Sequence, residues 1–341
     1  MAEKINLKAL PKEDLVRFME ESGFPRYRAG QLLHWVYQKY ASEISEITEF
    51  SKDLRDTLNK IAFISNLELV KRLKSSDGTE KFLFSLEDGQ TIESVLIPDT
   101  ERLTLCISSQ VGCAMGCRFC LTGKLGLIRN LRSYEIIDQI IAVNRDRGPS
   151  KRITNIVIMG MGEPLANFNE VVGALWKILE FTGISKRRIT LSTAGLVPKI
   201  GLLAEEAPKI NLAVSLNATT DASRDEIMPI NKKYPIKSLL DACRRFPLSP
   251  GRRITFEYVL IDGVNDSLVD ARRLVKLLRG IRCKINIIPL NPHPGSDLKR
   301  PPDKRVMEFQ KVLVNNNLTV LIRESKGQDI LAACGQLKAG H

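Results

Sequence analysis

The apolar positions of this chain change their period twice. Up to about residue 65 they recur at helical spacing. Leu15, Val16, Phe18 and Met19 do so within PKEDLVRFMEESG, then Leu32, Leu33, Trp35, Val36 and Tyr37 within PRYRAGQLLHWVYQKY. Gly23 sits where the first helix should be capped, and Ser51 opens a third, SKDLRDTL, as an N-cap. Between 66 and 100 the period falls to two. NLELVKRLK, EKFLFSLE and TIESVLIPD are separated by Asp77-Gly78 and Asp88-Gly89, pairs that favour tight hairpin turns, so a small β-meander is expected. From 101 to 341 strand-like runs alternate with helical ones. The strands are RLTLCIS, ITNIVIMG, RRITLST, INLAVSL, RRITFEYVLI, KINIIPL and TVLIRES; SYEIIDQIIAVN, PIKSLLDACRRF and SLVDARRLVKLLRG are among the helices. Such alternation predicts parallel strands with crossover helices, an α/β fold built as a full or partial (β/α) barrel. Three segments result: helical 1–65, meander 66–100 and barrel 101–341.

Charge adds a partner to this outline. Lys and Arg total 51 against 39 acidic residues, a net charge of +12, which suits a polyanion such as nucleic acid. Basic pairs such as Lys186-Arg187-Arg188 and Arg252-Arg253 also read as ordinary solvated surface, as do Arg26, Tyr27 and Arg28, which have the charge and ring for RNA. The opening MAEKINLKALPKEDL carries charges and no apolar core of a signal peptide, and runs such as IIDQIIAV are too short to span a membrane. A cytoplasmic setting, with reduced thiols, is expected. Only His34, His293 and His341 are present, which argues against a histidine-based metal site or triad.

The thiols are less evenly spread. VGCAMGCRFC holds Cys113, Cys117 and Cys120 in a C-x₃-C-x₂-C pattern, in a long loop after the first barrel strand. That end of a parallel strand is where such folds place their chemistry. Zinc is compatible with the spacing, but no fourth Cys or His completes its usual set. Three thiolates on a 4Fe–4S cubane leave one iron open to a ligand. Incidental thiols are the third reading. In TIESVLIPD, alternation puts Glu93 on one strand face with Val95 and Ile97, where a carboxylate serves either as a base or as a solvated edge charge. By themselves Cys106, Cys243, Cys283 and Cys334 read as ordinary free or packing thiols.

Phe119 before the third cysteine, and the cysteine spacing itself, resemble the radical S-adenosylmethionine (SAM) superfamily. CISSQVGCAMGCRFCLTGKLGLIRNL, VIMGMGEPLANF, LSTAGLVP, MPINKKYP, INIIPLNPHPGSD and AACGQL narrow this to the RlmN/Cfr family of RNA methyltransferases, over nearly the whole chain. FPRYRAGQLLHWVYQK and FSKDLRDTL look like its RlmN branch, which methylates carbon 2 of an adenosine in 23S rRNA and in tRNA. The resemblance implies a partial (β/α)6 barrel with an N-terminal helical accessory domain. It implies a 4Fe–4S cluster on Cys113, Cys117 and Cys120, and two SAM per turnover. Cys334 would take a methyl group from the first SAM; a 5′-deoxyadenosyl radical from the second would activate it, and the carbon would add to the adenine. Cys106 would release the base by forming a disulfide with Cys334, and Glu93 would take the carbon-2 proton. Gly162 beside Gly160, with Glu163, Ser192, Ser215, Leu216, Asn217 and Asn291, would hold SAM; read alone, MGMGEP is as good a plain turn. Where many relatives read Ser-Leu-His this chain has Asn217, which hydrogen-bonds but does not titrate. An electron donor such as flavodoxin or ferredoxin, and a monomeric state, are further implications. Methylation at carbon 8, as in the Cfr branch, and a non-catalytic zinc-stabilised RNA-binding protein are the alternatives.

Overall fold

The computed structural model describes residues 4–148 and 152–338, so the first three positions of the opening stretch and His341 lie outside the described residues. The N-terminal unit comprises α1 (Lys12–Glu21), α2 (Tyr27–Gln38) and α3 (Lys52–Ile61). Gly23, at φ 82°, follows α1, and the Ser51 hydroxyl accepts the Leu54 N–H at 3.3 Å to cap α3. A parallel pair, β1 (Ile5–Asn6) with β2 (Ala62–Phe63), closes the unit; two residues are too few to show a period.

The meander strands β3 (Glu68–Lys74), β4 (Glu80–Ser85) and β5 (Thr91–Pro98) do not stand apart. They continue, antiparallel, the edge of the barrel sheet at β6 (Leu103–Ile107). Two further strands, β7 (Gln110–Cys113) and β8 (Gly126–Asn130), form a separate hairpin. Then β9 (Asn155–Ile158), β10 (Ile189–Thr193), β11 (Asn211–Ser215), β12 (Ile254–Leu260), β13 (Cys283–Pro289) and β14 (Val320–Ile322) run parallel to β6 and to each other. The result is one open ten-stranded sheet. After the short α4 (Leu121–Lys124), the crossovers are α5 (Ser133–Arg147), α6 (Phe168–Phe181), α7 (Val197–Glu206), α8 (Asp221–Ile227) with α9 (Ile236–Arg245), α10 (Leu268–Leu277) and α11 (Asp303–Val314). Six βα units and a closing strand make the partial (β/α)6 barrel.

Register sorts the side chains. Residues paired directly across strands share a face, so Leu83, Glu93, Val95, Cys106 and Val157 point one way, as do Ser192, Ser215, Glu257 and Asn286. Alternate residues point the other way, among them Phe84, Leu105, Ile158, Leu191, Val214 and Phe256. All six are buried in the core beneath the crossover helices. Each such side chain contributes about 1.5–3 kcal/mol by leaving water. One face is thus apolar and covered by helices. The other carries the polar groups and the thiol of Cys106.

The N-terminal unit is fastened to the barrel by a buried cation. Lys8 Nζ donates to Asp138 of α5 at 2.8 Å and to the Ser65 carbonyl at 2.6 Å. Burial pushes Lys8 down and Asp138 up from their ordinary pKa values, each opposed by the charge of the other.

Candidate active site

The cysteine motif is less loop-like than its sequence suggests. Cys113 ends β7, Cys117 lies in the following turn, and Cys120 precedes α4. The hairpin escaped the pattern because it carries a bulge between Val111 and Gly112. Gly112, at φ 75°, lets the strands close there: a Cβ would lie 2.0 Å from the Gly126 carbonyl oxygen.

Cys113 and Cys117 are buried and Cys120 half-buried. Burial pushes the Cys113 thiol up to about 12 and Cys117 well above its ordinary value, with the neighbouring thiols adding to both. Thiolates here therefore need a cationic group beside them. Among the described residues no three Cys, His, Asp or Glu side chains converge tightly enough to hold one metal ion. Three thiols at this spacing, with no fourth Cys or His in the loop, fit a cubane in which each thiolate binds a separate iron.

The chain beyond β14 returns across the polar face of the sheet as a strap. Asp77 accepts the Gly327 N–H at 3.0 Å, Lys81 Nζ donates to the Leu331 carbonyl at 3.1 Å, and Thr122 donates to the Leu337 carbonyl at 2.7 Å. Leu121 N–H donates to the Gly335 carbonyl at 2.8 Å, which seats the strap directly on the cysteine motif. Gly335, at φ 82°, is needed there, since a Cβ would approach the Phe119 carbonyl oxygen to 2.9 Å.

This strap carries Cys334 to the other thiols. Solvent reaches the Cys334 side chain, yet the protein envelops it, and desolvation pushes its thiol up to about 11, with Glu257 the next contributor. Cys106 lies in a small buried cluster with Val95, Met161, Ala332 and Leu337. Its thiol is pushed up to about 12, by burial first and by Cys334 second. Glu93 is in the same group. Its Oε2 accepts the Lys338 N–H at 2.8 Å and its Oε1 pairs with Lys81 at 3.0 Å. Residues 93, 106, 120 and 334, far apart in sequence, thus meet at one place, while Cys243 and Cys283 stay in the helix-side core.

The residues expected to hold SAM behave differently from one another. Ser192 and Ser215 lie half-buried on the polar face. The close approach allowed by Gly160 and Gly162 is to the chain itself: a Cβ would meet the Ile107 carbonyl oxygen at 2.7 Å and Gln110 at 2.6 Å respectively. The Glu163 carboxylate accepts from Leu165 N–H at 3.0 Å, Thr193 Oγ1 at 2.8 Å and Ala194 N–H at 2.6 Å, leaving one lone pair for a ligand. Leu216 is buried, and its backbone is already engaged, the N–H on the Glu257 carbonyl at 3.0 Å and the carbonyl by the Ala218 N–H at 2.8 Å. Asn217, at φ 57°, spends its carboxamide on the Val259 N–H at 2.8 Å and on Met228 Sδ at 3.1 Å. Asn291 donates to the Cys334 carbonyl at 3.2 Å and accepts from Ser325, so it is tied to the strap.

Three polar groups at the site were missed from the sequence. Glu257 and Asn286 face the polar side, joined at 2.9 Å, and the buried Asn286 Oδ1 has no hydrogen-bond partner. Their signal was present: each breaks an apolar run at the phase opposite to the core, in TFEYV and INII. Arg224 is fully buried; nothing in DASRDEI marks it as different from a surface arginine.

Comparison with known proteins identifies the family. Residues 5–64 match the ribosomal RNA large subunit methyltransferase N-terminal domain, and residues 107–275 match the radical SAM superfamily. The dual-specificity RNA methyltransferase RlmN of Pelobacter propionicus is 52% identical over 340 residues, covering 99% of this chain and 97% of the relative. RlmN of Geobacter sulfurreducens is 53% identical over 98% of this chain and 92% of its own length. The crystal structure of a radical SAM methyltransferase from Sphaerobacter thermophilus superimposes with a TM-score of 0.94 at 44% identity, over 98% of this chain and all of that one. Radical SAM proteins take a 4Fe–4S cluster and SAM, and the three thiols of the motif fit the former. With such identity over nearly its full length, the chain belongs to the RlmN family of radical SAM RNA methyltransferases.

Proposed function

We propose that the enzyme methylates carbon 2 of one adenosine in 23S rRNA and of one in tRNA, through a methylene carried on Cys334. Supporting this is one observation above all: Cys334 is held by the strap between the cysteine motif and the group formed by Cys106 and Glu93. Cys113, Cys117 and Cys120 would hold the cluster. Ser192, Ser215, the free lone pair of Glu163, and backbone at Gly162 and Asn217 would hold SAM, with Leu216 packing beside it and Asn291 entering once the strap releases it. When bound, the cluster and two SAM per turnover supply a methyl group and the one-electron chemistry that breaks an unreactive C–H bond.

The chain's own residues do the remainder. Cys334 Sγ carries the one-carbon unit to the base. Glu93 takes the carbon-2 proton of the adduct. With the adduct's unpaired electron given up alongside that proton, Cys106 loses its thiol proton and its Sγ bonds to Cys334 Sγ; the S–C bond breaks, its electron pair goes to the base, and the new methyl group picks up a proton, leaving a disulfide for the electron donor to reduce. In the present arrangement each Glu93 oxygen has one partner, Lys81 or the Lys338 N–H, and keeps a second lone pair for the proton.

RNA would be gripped by the first 65 residues, where Arg28 lies over the exposed Tyr27 ring at 5.0 Å. Among the described residues no helix is long and apolar enough to cross a membrane. A cytoplasmic monomer reduced by a small electron carrier such as flavodoxin or ferredoxin completes the reading. The test is anaerobic turnover with labelled SAM and unmodified RNA, followed by mass spectrometry of the nucleosides. Label in 2-methyladenosine is expected; 8-methyladenosine, the Cfr-type product, would contradict the assignment.

A further inference from the structure

Arg224 is a buried positive charge that no carboxylate bonds directly. It is fully buried, and its four hydrogen bonds go only to neutral oxygens. Nε donates to the Leu216 carbonyl at 2.9 Å, and Nη2 to the Ala194 and Ser215 carbonyls at 2.7 and 3.0 Å. Nη1 donates to Asn231 Oδ1 at 3.1 Å. The acids Asp221 and Asp225 stop one residue short, on Asn231 Nδ2 at 3.1 and 2.7 Å. A buried charge with no directly bonded counter-charge is costly to keep, and two acids held off by an amide offset only part of that cost.

Those surroundings are the cysteine motif. Cys117 packs in one buried cluster with Ala194, Ile227 and Met228. Arg224 bonds the Ala194 carbonyl by its side chain, and its own carbonyl accepts the Met228 N–H at 2.7 Å. The Ile227 carbonyl in turn accepts the Arg118 N–H, next to Cys117, at 3.1 Å. Guanidinium and thiol therefore share the same immediate neighbours. Asp221 and Asp225 act on the guanidinium only across Asn231, whereas three metal-bound thiolates would set negative charge directly beside it. The same fork also joins the ends of β10 and β11, which carry Ser192 and Ser215.

We propose that Arg224 is a positioning residue with two effects: it is the counter-charge of the cluster-bound thiolates, and it ties the ends of β10 and β11 at the spacing that SAM requires. This rests on the cluster reading above. A nearby positive charge favours the more reduced, more negative cluster, so it raises the reduction potential. The fork geometry is specific to arginine; lysine keeps the charge but does not span three carbonyls.

The two effects separate experimentally in anaerobically reconstituted holoenzyme, by EPR-monitored redox titration and by equilibrium dialysis of SAM. R224Q is expected to shift the cluster midpoint to more negative potential and to bind SAM about tenfold more weakly, the loss of about one hydrogen bond to a charged group. R224K should keep the wild-type midpoint but share the weaker SAM binding. N231D, which sets a carboxylate against Nη1, should also lower the midpoint, and does so whether or not R224Q folds. A folded R224Q that loses iron while R224K retains it supports the same assignment. Full iron content with wild-type midpoints in R224Q and N231D overturns the counter-charge, and wild-type SAM affinity in R224K overturns the tie. Wild-type enzyme without an iron–sulfur signal would sink the cluster reading itself, and this inference with it.

Discussion

The two faces of the ten-stranded sheet obey opposite rules. On the helix side the alternate positions hold Phe84, Leu105, Val214 and Phe256, buried and interchangeable in kind with any well-packed core. On the other side the intervening positions hold Glu93, Cys106, Ser192, Ser215, Glu257 and Asn286, residues that a core would exclude. The first face stabilises the fold. The second gathers groups whose value lies in their chemistry, and keeps them sheltered with a strap rather than with helices. Substitutions on the two faces should therefore fail in different assays.

The largest effect is expected on the polar side. Cys334→Ala removes the atom proposed to carry the one-carbon unit and should reduce RNA methylation by at least about 10³-fold, as measured with labelled SAM. Thermal unfolding should barely change, since solvent reaches this side chain. Glu93→Gln should slow product release by about 10²–10⁴-fold, the usual contribution of a positioned base, with RNA accumulating on the protein in denaturing gels. On the helix side, Phe256→Ala should cost about 3–5 kcal/mol in urea unfolding, while the folded fraction keeps its turnover number. If Phe256→Ala abolished chemistry in fully folded enzyme, the separation of the faces would be wrong.

The strap offers a smaller, pH-dependent effect. Burial raises the Asp77 carboxyl, but hydrogen bonds from the Gly327 N–H and from Thr79 outweigh it and hold it down at about 2. A depressed carboxylate pKa means that its contribution is present above the ordinary carboxylate value and fades as pH falls toward about 2. Hydrogen exchange across residues 327–338 should quicken over that range. Asp77→Asn should weaken the pH dependence, leaving the share of Asp329, whose carboxyl is also held down by Ser75 and the Ser76 N–H, and loosen the strap slightly at pH 7; unchanged exchange would show that Asp77 does not fasten it.

How legible was this in the sequence? The helix face was: its strands alternate or run apolar, and Asp77-Gly78 and Asp88-Gly89 mark the hairpins that the sheet contains. The cysteine motif was legible by spacing, and Glu93 by its phase. The β7–β8 hairpin was hidden, because four- and five-residue strands offset by a bulge have no readable period. Arg224 was hidden for a deeper reason. In a basic chain one more arginine beside an acid looks like surface, and only the fold shows that its guanidinium bonds carbonyls from two separate strand ends. The nearness of Cys106 and Cys334 likewise depends on a strap that crosses the sheet after every other element is in place.

The central claim is that the polar face joins enzyme and RNA through Cys334 and that Cys106 parts them. Cys106→Ala, incubated anaerobically with SAM, reductant and unmodified RNA, tests it most directly. After nuclease digestion, peptide mass spectrometry should find an adenosine nucleotide attached to the Cys334 peptide through one added carbon, with little methylated RNA released. Methylated RNA released at the wild-type rate, with an unmodified Cys334 peptide, would contradict the account.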